Sequence, residues 1–174
     1  MNKNRRLALV ALLSVLAIAI GLFERQFFFF LMVIPGAKLG LANVITLIAL
    51  HWLPPKDVLH IIVTRLLLTA FLSGTLSTLL YSSAGALLSF VVMYACYKRL
   101  NRYLSILGIS LVGGFMHSLG QLFVAAFIAQ TWLVFLYLPV FALSGMTFGL
   151  LVGFVGKHIL DKAEKLQLFT GDDC

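Results

Sequence analysis

Three groups of polar residues interrupt a sequence built from apolar runs, and each has the chemistry to hold a small ligand. The first is Pro35-Gly36-Ala37-Lys38-Leu39-Gly40-Leu41-Ala42-Asn43, which sets a cation and a carboxamide beside flexible backbone. Proline holds φ near about −65° and offers no N–H, while Gly36 and Gly40 permit backbone conformations and close approaches that a side chain would block. Lys38 and Asn43 flank the start of an apolar run, where both can face a cavity below one membrane surface. A plain loop with Lys38 snorkelling to the headgroups is the competing reading. The second group is a single residue. Arg65 falls near the middle of an apolar run, where a cation costs from about 3 to more than 10 kcal/mol unless water or a partner relieves it. The acids closest to it, Glu24 and Asp57, sit at the ends of apolar runs. An anionic ligand, backbone carbonyls or a water-filled cavity is left to compensate the charge, with hydrogen-bonded structural glue as the bland alternative. The third group is Ser110, Gly114, His117, Gln121 and Ala125, three or four residues apart and so on one helical face. Imidazole and carboxamide there supply donors and acceptors for a polar substrate.

These residues need a membrane scaffold to position them. The chain is 61% hydrophobic with 11% charged residues, and its mean hydropathy is +1.06. A soluble domain is roughly 45–50% apolar and 25% charged. An all-α integral membrane protein follows, and 174 residues suit one transmembrane domain of six spans with little left over. The net charge of +7 does not point to nucleic acid, because the cations cluster at the ends of apolar runs, where they set orientation. Cys96 and Cys174 match no metal or redox spacing, and no metal or cofactor is expected.

The spans are predicted at about 7–23, 38–53, 57–72, 75–97, 104–130 and 133–159, forming a single domain over 1–174. A cleaved signal peptide competes for the first, since Lys3, Arg5 and Arg6 form a basic start and Ala17-Ile18-Ala19 imitates a cleavage site. The run continues to Phe23, which favours a retained helix. Phe27 to Ile34 is apolar but too short to span, so a non-spanning segment is expected between the first two helices. Pro54-Pro55 should end one helix or begin the next, and Pro139 should kink the sixth or open it. In the fourth span Thr78, Ser82, Gly85 and Ser89 form a small, weakly polar stripe, read as helix packing ahead of ligand contact. Gly145, Gly149 and Gly153 in the sixth, and Ala8, Ala11, Ser14 and Ala19 in the first, are small-residue surfaces for packing or for docking a partner.

In this arrangement ten of the thirteen cations fall on the side of the N-terminus, and only Arg25 and Lys38 fall on the other. The positive-inside rule then places both termini in the cytoplasm and opens the glycine-rich stretch to the outside of a multi-pass cell-membrane protein.

The motifs carry a resemblance. Pro35 to Asn43, Tyr81-Ser82 with Ala84 to Leu87, Gly113 to Gln121, and Tyr137-Leu138-Pro139 with Ser144-Gly145 resemble the Gx transporter family, also labelled heptaprenyl diphosphate synthase component I. A more distant resemblance is to the six-helix substrate-binding S components of energy-coupling-factor transporters. The family's fifth-span pattern is similar to Gly-x-x-x-His-Asn-x-Gly-Gln. Gly113, His117, Gly120 and Gln121 match it, and Ser118 stands in place of the Asn. The resemblance implies a subunit that captures a small molecule and passes it to a membrane coupling subunit driven by ATPases. Its other implication is a membrane component of prenyl diphosphate synthesis. Making such a product requires carboxylates to hold Mg²⁺ against the diphosphate, and the sequence has neither an aspartate-rich motif nor a Walker motif. The chain is therefore expected to be non-catalytic by itself. It should bind an anionic or amphiphilic substrate through Lys38, Asn43, Arg65, His117 and Gln121, with Gly36 and Gly40 allowing the backbone to approach.

Overall fold

In the computed structural model, the described residues are 2–27, 38–73, 76–100 and 102–166. They form six α-helices: α1 Lys3–Phe27, α2 Asn43–Trp52, α3 Pro55–Ser73, α4 Leu76–Leu100, α5 Ile106–Ala129 and α6 Leu138–Lys165. A 3₁₀ turn at Trp132–Tyr137 leads into α6. No strand occurs among the described residues. The apolar segment expected before Pro35 lies outside them, as does Gly36.

Polarity runs opposite to that of a soluble protein. Leu12, Val15, Phe23, Leu67, Phe71 and Phe154 are exposed, whereas Glu24, Asn43, Arg65, His117 and Gln121 are buried. Lipid is the solvent that suits such a surface, and ionisable groups inside a membrane protein face the bundle interior. Among the described residues, four segments are long and apolar enough to cross a bilayer: Lys3–Gln26, Leu76–Leu100, Ile106–Ala129 and Trp132–Lys165.

The second helix departs from expectation. Instead of running from 38 to 53 it starts at Asn43 and has ten residues, about 15 Å at 1.5 Å per residue, half the hydrocarbon thickness. Residues 38–42 are irregular because Gly40 adopts φ +86°, a left-handed conformation that breaks a helix but suits glycine. Irregular backbone at such depth is tolerated only where protein buries and satisfies it. The N–H groups of Asn43, Val44 and Ile45 turn back to the carbonyls of Gly40, Leu41 and Ala42, so the new helix start leaves none of these donors open. Every residue from Asn43 to Leu50 is buried, as expected for a short helix with neighbours on all sides; α2 touches α1, α3, α4 and α6.

Proline sets the next boundary. Leu53 is extended, at φ −120° and ψ 149°, the conformation a following proline imposes, and Pro55 opens α3. Pro139 likewise lies in the first turn of α6 and opens that helix. Arg6 on α1 makes a two-pronged ion pair with Asp57 on α3, one arm being Arg6 Nη2 to Asp57 Oδ1 at 2.8 Å. The N-terminal ends of α1 and α3 are thus at the same end of the bundle.

The small-residue stripe of α6 faces inward. Gly145, Gly149 and Gly153 pack against Ser110, Gly114 and Ser118 of α5, and the Ser110 hydroxyl donates to the Gly149 carbonyl at 2.7 Å. Ser118, which stands in place of the family's Asn, lies against Gly145. On α1, Ala8, Ala11 and Ala19 are exposed. Ser14 is not part of that face: it is buried, and its hydroxyl donates to the Val10 carbonyl.

Candidate functional site

Glu24 organises the polar interior. It is on the last turns of α1, 1% exposed, and its two oxygens accept from successive backbone amides, Oε1 from Gly40 N–H at 2.8 Å and Oε2 from Leu41 N–H at 3.1 Å. Lys38 and Arg65 are both within electrostatic reach of it. The sequence reading sought a partner for Arg65 among ligands, carbonyls and water. The structure adds Glu24 to these, an acid of another helix that lines the same cavity as Arg65 and lies within electrostatic reach of it. Glu24 is 41 positions away and looks, in sequence, like a flank of the first span beside Arg25.

Gln121 holds the same segment from the opposite side. Its Oε1 accepts from Lys38 N–H at 2.8 Å and its Nε2 donates to the Lys38 carbonyl at 2.7 Å. The carboxamide thereby imitates a strand partner for one residue of irregular backbone. Glu24 and Gln121 together satisfy the main-chain N–H groups of Lys38, Gly40 and Leu41, which would each be costly if left bare in an apolar interior. In this geometry Gln121 positions Lys38.

His117 sits between two glycines. A Cβ added to Gly40 would meet its Cδ2 at 2.9 Å, and one added to Gly85 would meet both its Cε1 and its backbone carbonyl oxygen at 2.9 Å. The ring thus fills a slot that only glycines leave open. It is 3% exposed. The Gly85 backbone lies alongside, but neither Nδ1 nor Nε2 has a hydrogen bond of acceptable geometry. We expect Gly85→Ala to lower stability by about 1–3 kcal/mol through overpacking. Gly40→Ala should cost a similar amount, because its positive φ adds backbone strain of roughly 1–2 kcal/mol while its close contacts are with side chains and those of Gly85 include the His117 carbonyl. Thermal melts of the two variants in detergent check that both are destabilised.

Glu24, Lys38, Arg65, His117, Gly40 and Ser82 line one cavity, closed off by Gly21, Ala42, Leu66 and Thr69. Its enclosed part has room for about one or two water molecules. Lys38, Arg65 and His117 are thus brought together, as the sequence suggested. Asn43 is not with them: its Nδ2 donates to Ser89 Oγ at 3.4 Å, and it lines a neighbouring smaller cavity with Ser110, Gly114 and Gly149. Gly40 borders both cavities. Among the polar lining residues, Glu24, Thr69 and Ser82 are additions to the expected site residues. In sequence Glu24 looks like the end of a span, and Ser82 belongs to a stripe whose spacing suits helix packing. The signal for Ser82 was there in that stripe, one turn from Gly85.

Among the described residues, the buried side-chain atoms without a hydrogen-bond partner are Ser82 Oγ, His117 Nδ1 and His117 Nε2. Both residues line this cavity. Buried polar atoms are nearly always paired, so their convergence on one void leaves both residues with hydrogen-bonding capacity directed at a space large enough for a water or another small polar group.

No curated protein and no solved structure matches the chain. A family model does, over residues 13–159, a range that takes in Glu24, the glycine-rich stretch, Arg65, Ser82, His117 and Gln121. The chain belongs to the heptaprenyl diphosphate synthase component I family.

Proposed function

We propose that this membrane protein is the substrate-binding subunit of a small-molecule transporter, similar in plan to an S component, and that the cavity between α1, α3, α4 and α5 is its binding site. One observation carries the reading: unpartnered polar atoms of Ser82 and His117 line the same buried cavity as Lys38 and Arg65. A bundle that needed only to pack would fill such a void with apolar side chains, since unsatisfied polar groups and cavities both destabilise it. Lys38 and Arg65 supply charge, and Ser82 and His117 supply orienting hydrogen bonds. Glu24 and Gln121 hold the backbone that presents Lys38. Transport requires a coupling partner, and the exposed Ala8, Ala11 and Ala19 face of α1 offers backbone-close packing for one.

Native mass spectrometry for a co-purified small molecule, followed by melting curves, tests the site. A ligand at a hundredfold excess over Kd should stabilise the parent by about 2.7 kcal/mol. Arg65→Met should lose that stabilisation. Its empty form should stay folded, because Glu24 keeps Lys38 and two backbone amides. Arg65→Lys, which keeps the charge without the planar fork, should retain part of the effect. An Arg65→Met protein that binds as the parent does would overturn the reading.

The proposed orientation places both termini in the cytoplasm of a cell-membrane protein. Reporter fusions after Lys165 and within 98–102 are expected to give cytoplasmic signals, by the positive-inside rule. An external signal at either position would reverse the topology.

A further inference from the structure

We propose that the cavity between α1, α3, α4 and α5 binds ordered water, one or two molecules held by Ser82 and His117 together with Lys38 and Arg65, and that a substrate's polar atoms enter by displacing it. The water site stands whether or not the chain binds a substrate, and the displacement rests on the reading above. Size and hydrogen-bonding chemistry carry it together. The enclosed part of the cavity has room for about one or two waters. Ser82 Oγ and both ring nitrogens of His117 are buried there without a partner, and the two residues are 5% and 3% exposed, too closed off for bulk solvent to serve them.

Whatever meets these atoms must be water-sized and must suit each of them. The Ser82 hydroxyl donates and accepts, and imidazole has one donor and one acceptor when neutral and two donors when protonated. Arg65 donates only, and the Lys38 amine donates in either charge state. Glu24 accepts one backbone N–H at each oxygen and has lone pairs beyond those two bonds. Water both donates and accepts, so it fits every one of these groups whatever the net charge of the cavity. It ties α4 and α5, through Ser82 and His117, to the charged side chains of α1 and α3. The neighbouring cavity does not share this chemistry, because its polar lining is already bonded, Asn43 to Ser89 and Ser110 to the Gly149 carbonyl. A substrate group that replaces the water has to donate and accept as water does, since displacing an ordered water without reproducing its bonds loses affinity.

The test is NMR of the full chain in detergent, labelled with ¹⁵N at its four histidines, with water itself as the probe and the His117 signals identified by their loss in His117→Gln. A His117 ring N–H should show a cross-peak to water in the parent. In Ser82→Val, which removes one partner and fills part of the cavity, that cross-peak should be lost. A protected His117 N–H with no cross-peak to water in the parent would overturn the water site, as would a cross-peak undiminished in Ser82→Val. Should Ser82→Val fail to fold, or the ring N–H exchange too fast to be seen, a high-resolution crystal structure of the parent decides. Solvent density within hydrogen-bond distance of Ser82 Oγ and a His117 ring nitrogen supports the site. A dry cavity overturns it, and so does density there too large for water, which would favour a bound small molecule instead. The two readings fail separately: a dry cavity leaves the Arg65→Met binding test as it stands, and a hydrated cavity in a protein that no co-purified molecule stabilises would remove the substrate and keep the water.

Discussion

Replacing Glu24 with alanine is expected to destabilise the protein by about 3–5 kcal/mol, the usual consequence of removing one member of a buried ionic group. Two losses combine. Lys38 and Arg65 are left lining one cavity without the acid within electrostatic reach of both, and the N–H groups of Gly40 and Leu41 lose their acceptors. Glu24→Gln should fall between the parent and the alanine variant, because an amide oxygen still accepts one of the two backbone bonds but the charge is gone. Adding Arg65→Met to Glu24→Ala should recover part of the stability, since it removes a cation that has lost its partner. The double-mutant cycle would then show a coupling between the two positions within the range of about 0.5–3 kcal/mol seen for directly interacting residues. Melting or SDS-unfolding midpoints of the four proteins measure it. Additive effects would mean that Glu24 acts on the backbone alone and that Arg65 is compensated by something else.

The second large effect is expected at the α5–α6 contact. A Cβ on Gly114 would overlap the Gly145 carbonyl oxygen and lie 2.7 Å from Gly149 Cα. Both are backbone atoms, so no side chain can rotate away, and the two helices must separate. Gly114→Ala should cost about 3 kcal/mol or more, at or beyond the upper end of overpacking. It should also weaken the bond from Ser110 to the Gly149 carbonyl. Gly108→Ala on the same helix is the matched control. There the added methyl meets the Leu104 side chain, 3.3 Å away, and the capping Ser105 hydroxyl at 3.9 Å, with no backbone of another helix among its nearest atoms, and alanine is the better helix former by about 1 kcal/mol. Its melting temperature should equal or exceed the parent's. Equal losses at both positions would mean that the effect comes from helix propensity or local solvation and that the interhelical contact is loose. The inward placement of this stripe also bears on assembly, since Gly145, Gly149 and Gly153 are covered by α5 and leave the α1 alanines as the open small-residue face.

The membrane class, the helix order and the turning points at Pro54-Pro55 and Pro139 are local properties, legible because bilayer thickness and proline geometry act on a few consecutive residues. Arg65 could be recognised as anomalous for the same reason: a cation deep in an apolar run is costly wherever its partner lies. The pairing of His117 with Gln121 on one face of α5 also follows from helical periodicity. Tertiary structure decided which groups those residues meet. Gln121 contacts Lys38 across 83 positions, and Glu24 reaches Gly40 across an interval that no periodicity encodes. Asn43, only five residues from Lys38, ends up facing a different cavity because Gly40 turns the backbone between them. The short α2 has the same origin. Apolar composition favoured a full span from residue 38, but the backbone can remain irregular there only because a carboxylate from α1 and a carboxamide from α5 satisfy its amides, and that condition exists only once the helices are packed.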